Sequence, residues 1–101
     1  MTASEAARNA REKAMWLIRE HAMARQHDVA DGLMTPRLAA LMAQRYAMGV
    51  LDTFTALYGD RAAGPLGHAV NAEVYAIDPD WQLHASQRWA QRPADLAPTA
   101  G

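Results

Sequence analysis

The sequence predicts an all-α fold, a compact bundle of four helices at about residues 4–27, 36–58, 65–77 and 79–91, arranged around a central apolar second helix. Three observations point there. From Thr35 to Tyr58 a Thr-Pro start and a Tyr-Gly stop enclose 23 residues that are apolar nearly all round a helix, and such a helix has to be wrapped by others. Alanine contributes 23 of the 101 residues and leucine nine, and these two lead the helix propensity scale. Valine and isoleucine number only four and two, with no alternating apolar and polar run that would read as a strand.

Helix 1 starts at Thr2 or Ser4, either of which can accept a hydrogen bond from a free amide, and Glu5 stands three residues after Thr2 to complete a capping box. Its core face gathers Ala3, Ala7, Ala10, Ala14, Leu17, Ile18 and His21 at helical spacing. Asp28, Asp31 and Gly32 break the pattern after His27. Thr35 then caps helix 2, with Pro36 in its first turn.

On helix 2 the stripe Leu38, Met42, Tyr46, Val50, Thr53 and Leu57 is expected to face the core, widened by Ala39, Ala43, Ala47 and Phe54, while Leu41, Met48 and Leu51 lie opposite. Apolar groups on both sides ask for neighbours on both sides, hence four helices rather than a hairpin. Gly59 is placed as the C-terminal cap and residues 59–64 as a loop. Pro65 opens helix 3, on which Leu66, Val70, Val74 and Ile77 recur, and Asp78-Pro79 repeats the cap-then-proline signal to open helix 4 with its stripe Trp81, Ala85 and Trp89. Residues 93–101, without periodicity, read as a disordered tail behind a single domain of residues 1–92.

Composition narrows function. Ten basic and eleven acidic residues are spread evenly along the chain, for a net charge of -1, so no clustered positive patch marks a nucleic-acid surface. A helix-turn-helix DNA-binding regulator is the alternative class. Its reading helix would carry basic contacts in its N-terminal half, whereas residues 65–77 hold no Arg or Lys and helix 4 has only Arg88 and Arg92 near its end. The absence of cysteine removes disulfide and thiolate chemistry and fits a reducing compartment. The first residues show no signal-peptide pattern, and Gln44, Arg45 and Asp52 interrupt the apolar rod where a charge in lipid costs about 2.5 to 3.5 kcal/mol. A soluble cytoplasmic protein is therefore expected. Nine arginines against one lysine, with abundant alanine, suggest a GC-rich bacterial or phage genome.

Catalytic and metal motifs were sought residue by residue. His68, Asn71 and Tyr75 share one face of helix 3 and His is the usual proton carrier near neutral pH, yet no nucleophile or converging carboxylate joins them, so that face reads as solvated. Asp80 with His84, and His27 with Asp31, stand one turn apart, but no Glu-x-x-His pair of a carboxylate-bridged centre occurs. Gly64-Pro65-Leu66-Gly67 has too few glycines for a phosphate loop, and its proline lacks an amide to offer. No cofactor, metal or catalytic residue is expected. A small enzyme or cofactor carrier using His21, His68 or His84 is the third class.

What remains is recognition. Trp16 and Met23 lie seven residues apart on the side of helix 1 opposite its core face, and either another helix covers them or they anchor a partner. Trp81, Arg88, Trp89 and Arg92 line helix 4, where the tryptophans either dock that helix or receive a peptide. Arg45 and Asp52, two turns apart on the apolar rod, either pair or mark where the bundle opens to water or to another subunit. The expected function is a protein-protein interaction module, an adaptor, inhibitor or assembly subunit whose contacts are Trp16, Arg19, Met23, Trp81, Arg88 and Trp89 and whose partner is another protein or a second copy of itself. Methionine suits adaptable interfaces of this kind.

Overall fold

The computed structural model describes residues 2–82 and is all-helical over them, with α1 (Ala3–Ala30), α2 (Pro36–Tyr58) and α3 (Asp60–Ile77) and no strand. Each helix packs on the other two. Three helices rather than four form the described bundle. Of the predicted fourth, Trp81 and Gln82 are helical, and its remainder, with the predicted tail, lies outside the described residues.

The N-terminal capping box of α1 forms as the sequence requires. The Glu5 amide donates to Thr2 Oγ1 at 3.1 Å and the Thr2 amide donates to Glu5 Oε2 at 3.4 Å. The helix runs to Ala30, one turn past the predicted end at His27, because the stop is a glycine device rather than Asp28. Gly32 has φ 74°, and the turn closes with the Gly32 amide on the Val29 carbonyl at 3.0 Å and the Leu33 amide on the Asp28 carbonyl at 2.8 Å. This pair of bonds is a Schellman motif, which lets the helix continue through Asp28 and Val29. Thr35 caps α2 through Oγ1, which accepts from the Leu38 amide at 3.1 Å, with Pro36 in the first turn.

The predicted loop at residues 59–64 does not exist. Gly59 alone joins α2 to α3, with φ 90° and ψ 165°, a conformation open essentially to glycine. Its amide donates to the Thr55 carbonyl at 2.8 Å and its carbonyl accepts from the Ala63 amide at 3.2 Å, so one residue ends one helix and starts the next. α3 therefore begins at Asp60, not at Pro65, which lies inside the helix. Asp60 complements the helix dipole, and burial of Ala63 and Leu66 on either side of Pro65 offsets the hydrogen bond that proline cannot donate.

The core is small-sided. Ala14, Ile18 and Ala22 of α1 meet Ala39, Ala40, Ala43, Ala47 and Phe54 of α2 and Ala63, Leu66, Val70, Val74 and Ile77 of α3, with Trp81 closing one end. On α2 the alanine row and Phe54, predicted to widen the core face, are buried, while of the predicted main stripe Leu38, Tyr46, Thr53 and Leu57 are exposed and Met42 and Val50 half-buried. The reason is steric. Alanine lets helix axes approach closely and bury backbone as well as methyl groups, and the bulkier residues of an all-round apolar helix are left at the margins of the contact. Among the described residues no helix is long and apolar enough to cross a membrane.

Candidate functional site

Turning the large residues of α2 outward opens a groove between α1 and α2 with a volume of about 650 Å³. Ala10, Ala14 and Leu17 line it from α1, and Gly49, Val50 and Phe54 line it from α2. Small side chains on both helices line it, and it is widely open to solvent. Tyr46, Thr53, Leu57 and Tyr58 complete the wall from α2, and Leu57 is 71% exposed. The ionisable side chains among these residues, apart from the tyrosines, are Lys13 and Arg45, both cationic.

Aromatic pairs bound the groove. The His21 ring lies flat on Tyr46, centroids 4.2 Å apart and planes within 5°, which bridges α1 to α2 at one end. Phe54 and Tyr58 meet at 4.9 Å and 37° at the other. Offset and tilted contacts of this kind hold rings in place beyond their area burial. His21 Nε2 is buried with no hydrogen-bond partner among the described residues. Burial first, and the neighbouring Arg25 second, hold the His21 pKa below its usual 6.5, so the ring is neutral at pH 7. A neutral ring stacks on tyrosine without desolvating a charge. Arg25 Nε lies 3.0 Å from Asp28 Oδ2, an ion pair that lacks hydrogen-bond geometry.

The contact residues expected from sequence divide into three groups. Trp16, 52% exposed, and Met23, 50% exposed, lie uncovered on α1. Trp16 and Arg19, with Met15 and Pro65, line a smaller depression of about 400 Å³ between α1 and α3, on the other flank of α1 from the groove. Lys13 Nζ sits 4.4 Å from the Trp16 ring centroid, a cation-π contact, and Arg19 Nε lies 3.5 Å from Glu73 Oε1 of α3. Trp81 takes a different place, 9% exposed within the core cluster. Arg88 and Trp89 lie outside the described residues.

Other sequence candidates stay apart. His68, Asn71 and Tyr75 are exposed on α3, as expected of a solvated face, and the Tyr75 hydroxyl donates to Gln82 Oε1 at 3.1 Å. Among the described residues no three potential ligands converge on a metal position. Arg45 and Asp52 are both exposed, and neither has an ion-pair partner among the described residues. Asp78 Oδ1 accepts from the Asp80 amide at 3.0 Å, while nearly all of the helix that Asp78 was expected to cap lies outside the described residues.

Sequence reasoning missed the groove because it assigned Tyr46, Thr53 and Leu57 to the core together with Val50, which lines the groove and also packs against the core. The signal that would have found it is the alanine spacing itself. Ala39, Ala43 and Ala47 recur every four residues, the pattern of a close helix contact, and that row leaves the adjacent large stripe beside the contact rather than in it. The scan against protein-family models matches none of them, and searches of the curated proteins and of the solved structures return no match.

Proposed function

We propose that this protein is a non-catalytic protein-protein interaction module that receives a helix of a polypeptide partner in the groove between α1 and α2. The groove itself carries the reading. An open, apolar groove between two long helices, edged by Tyr46, Leu57 and Tyr58, has the chemistry that an amphipathic helix seeks. Tyrosine is enriched at such contacts because it offers a large, stiff, apolar body with a polar tip. The cations Lys13 and Arg45 on its border favour a partner helix with acidic residues flanking its apolar stripe. Trp16, Arg19 and Met23, on the outer side of α1, form a second exposed patch that would extend the contact around the helix or serve a different one.

The reading is tested by a photo-crosslinking amino acid placed at Leu57 in the groove and, as a control, at exposed Ala72 on α3, with irradiation in cells. A polypeptide adduct from position 57, absent from position 72 and lost when Val50→Glu is added, supports docking in the groove. Adducts of equal yield from both positions, or none from position 57, overturn it. The mass of the adduct separates a second copy of this 11.1 kDa chain from a different protein.

A further inference from the structure

We infer that the polypeptide on this face is a second copy of the chain, with α2 packed antiparallel on α2 across a two-fold axis beside Gly49. The inference rests on the groove being a docking surface and goes further by naming its occupant.

Three features of α2 carry it. Arg45 and Asp52 are seven residues apart, which sets them about 10 Å apart along the axis and within about 20° of one face. Both are exposed and unpaired among the described residues. Gly49 stands between them, exposed at the middle of a 23-residue helix. It has no positive φ to require a glycine, and an added Cβ would meet nothing within 4 Å. The fold of one chain therefore gives no reason for glycine there, and a mid-helix glycine weakens the helix. A helix crossing closely at that point supplies the reason, since the missing side chain lowers the surface at the crossing.

The charge pattern then chooses both the partner and its direction. Two copies of α2 laid antiparallel about residues 48 and 49 bring Arg45 opposite Asp52 of the second copy and Asp52 opposite Arg45 of the second copy. Two ion pairs form in one operation, as an isologous contact demands. A parallel arrangement would set arginine against arginine and aspartate against aspartate. The same antiparallel placement lays the residues around Gly49 of each copy against the groove margin that Arg45 and Gly49 form in the other.

Sedimentation of the full chain from about 1 to 500 µM tests this, with wild type, Arg45→Asp, Asp52→Arg and Gly49→Leu. Wild type is expected to move reversibly from 11.1 kDa toward twice that mass. Each charge reversal exchanges two attractive contacts for two repulsive ones and weakens the dimer about tenfold or more. An equimolar mixture of the two reversed variants recovers association, because one copy then bears both acids and the other both bases. Gly49→Leu, which remains helical by circular dichroism, stays monomeric.

A wild-type monomer over the whole range overturns the inference, and so does a dimer indifferent to both reversals. Weakening by each reversal without recovery in the mixture overturns the antiparallel register. Monomeric wild type together with a position-57 adduct to a different protein would remove the second copy as occupant and leave the docking function standing.

Discussion

Alanine at Gly49 and alanine at Gly59 should shift stability in opposite directions. Gly49 lies mid-helix with ordinary helical φ and with open space where a Cβ would be placed. Alanine there removes conformational freedom from the unfolded chain and clashes with nothing, so Gly49→Ala should stabilise the monomer by about 0.5 to 1 kcal/mol. Gly59 has the same open surroundings but sits at φ 90° and ψ 165°. An alanine held in that conformation costs about 1 to 3 kcal/mol, and the chain cannot relax elsewhere because Gly59 is the whole connection between α2 and α3.

Urea denaturation followed by ellipticity at 222 nm, at a concentration low enough to hold the protein monomeric, measures both. With an m-value of about 1 to 1.5 kcal/mol/M for a chain of this size, the midpoint should rise by about 0.3 to 1 M for Gly49→Ala and fall by about 0.7 M or more for Gly59→Ala. An unchanged midpoint for Gly59→Ala would refute the single-residue reversal. A lowered one for Gly49→Ala would mean that something occupies the space beside Gly49 in the isolated chain.

Further outcomes follow from the same geometry. Leu66 is fully buried against all three helices' core residues, so Leu66→Ala should cost about 2 to 5 kcal/mol in the same urea assay, whereas Arg19→Ala, which removes a bridge that is largely exposed on the arginine side, should change stability by less than about 1 kcal/mol. Thr35→Ala removes the hydroxyl that accepts from the Leu38 amide and should cost about 1 kcal/mol. His21 has a folded pKa below its unfolded value of 6.5, so below pH 6.5 the unfolded chain binds more protons than the folded one. Its contribution is complete above that pH and is lost as the pH falls toward the depressed folded value. Denaturation midpoints measured from pH 7.5 to 5 should show a decline that His21→Phe, which keeps a flat ring over Tyr46, reduces.

The helical class, the span of α2 and the caps at Thr2 and Thr35 were legible in the sequence, because each is fixed by local chemistry: a hydroxyl that accepts from an amide three residues on, and a proline confined to the first turn. The end of α1 and the start of α3 were not. Both turn on what a glycine does in three dimensions. Gly32 at positive φ lets α1 run through Asp28, and Gly59 reverses the chain in one residue, so the breakers Gly64 and Pro65 fall inside a helix held by tertiary contacts. The orientation of α2 was hidden for another reason. An apolar helix of all-round character gives no moment sharp enough to say which stripe is core, and closeness of packing, which favours Ala39, Ala43 and Ala47 over Leu38, Tyr46 and Leu57, decided it. The same ambiguity concealed the groove. For Trp16 and Met23 the sequence left cover by another helix and contact with a partner both open, and both side chains are exposed; docking onto the bundle was one of the two readings of Trp81, and its place in the core cluster agrees with that one.

The central claim is that the groove between α1 and α2 is open in a single chain and covered when a polypeptide docks there. Methyl-resolved NMR with a soluble paramagnetic agent reads this directly. At limiting dilution the Leu57 and Val50 methyl signals should broaden strongly while those of Leu66 and Val74 do not, and at high concentration the Leu57 and Val50 methyls should gain protection together. Leu57 and Val50 shielded at every dilution would show the groove filled by the chain's own residues, and that result would contradict the account.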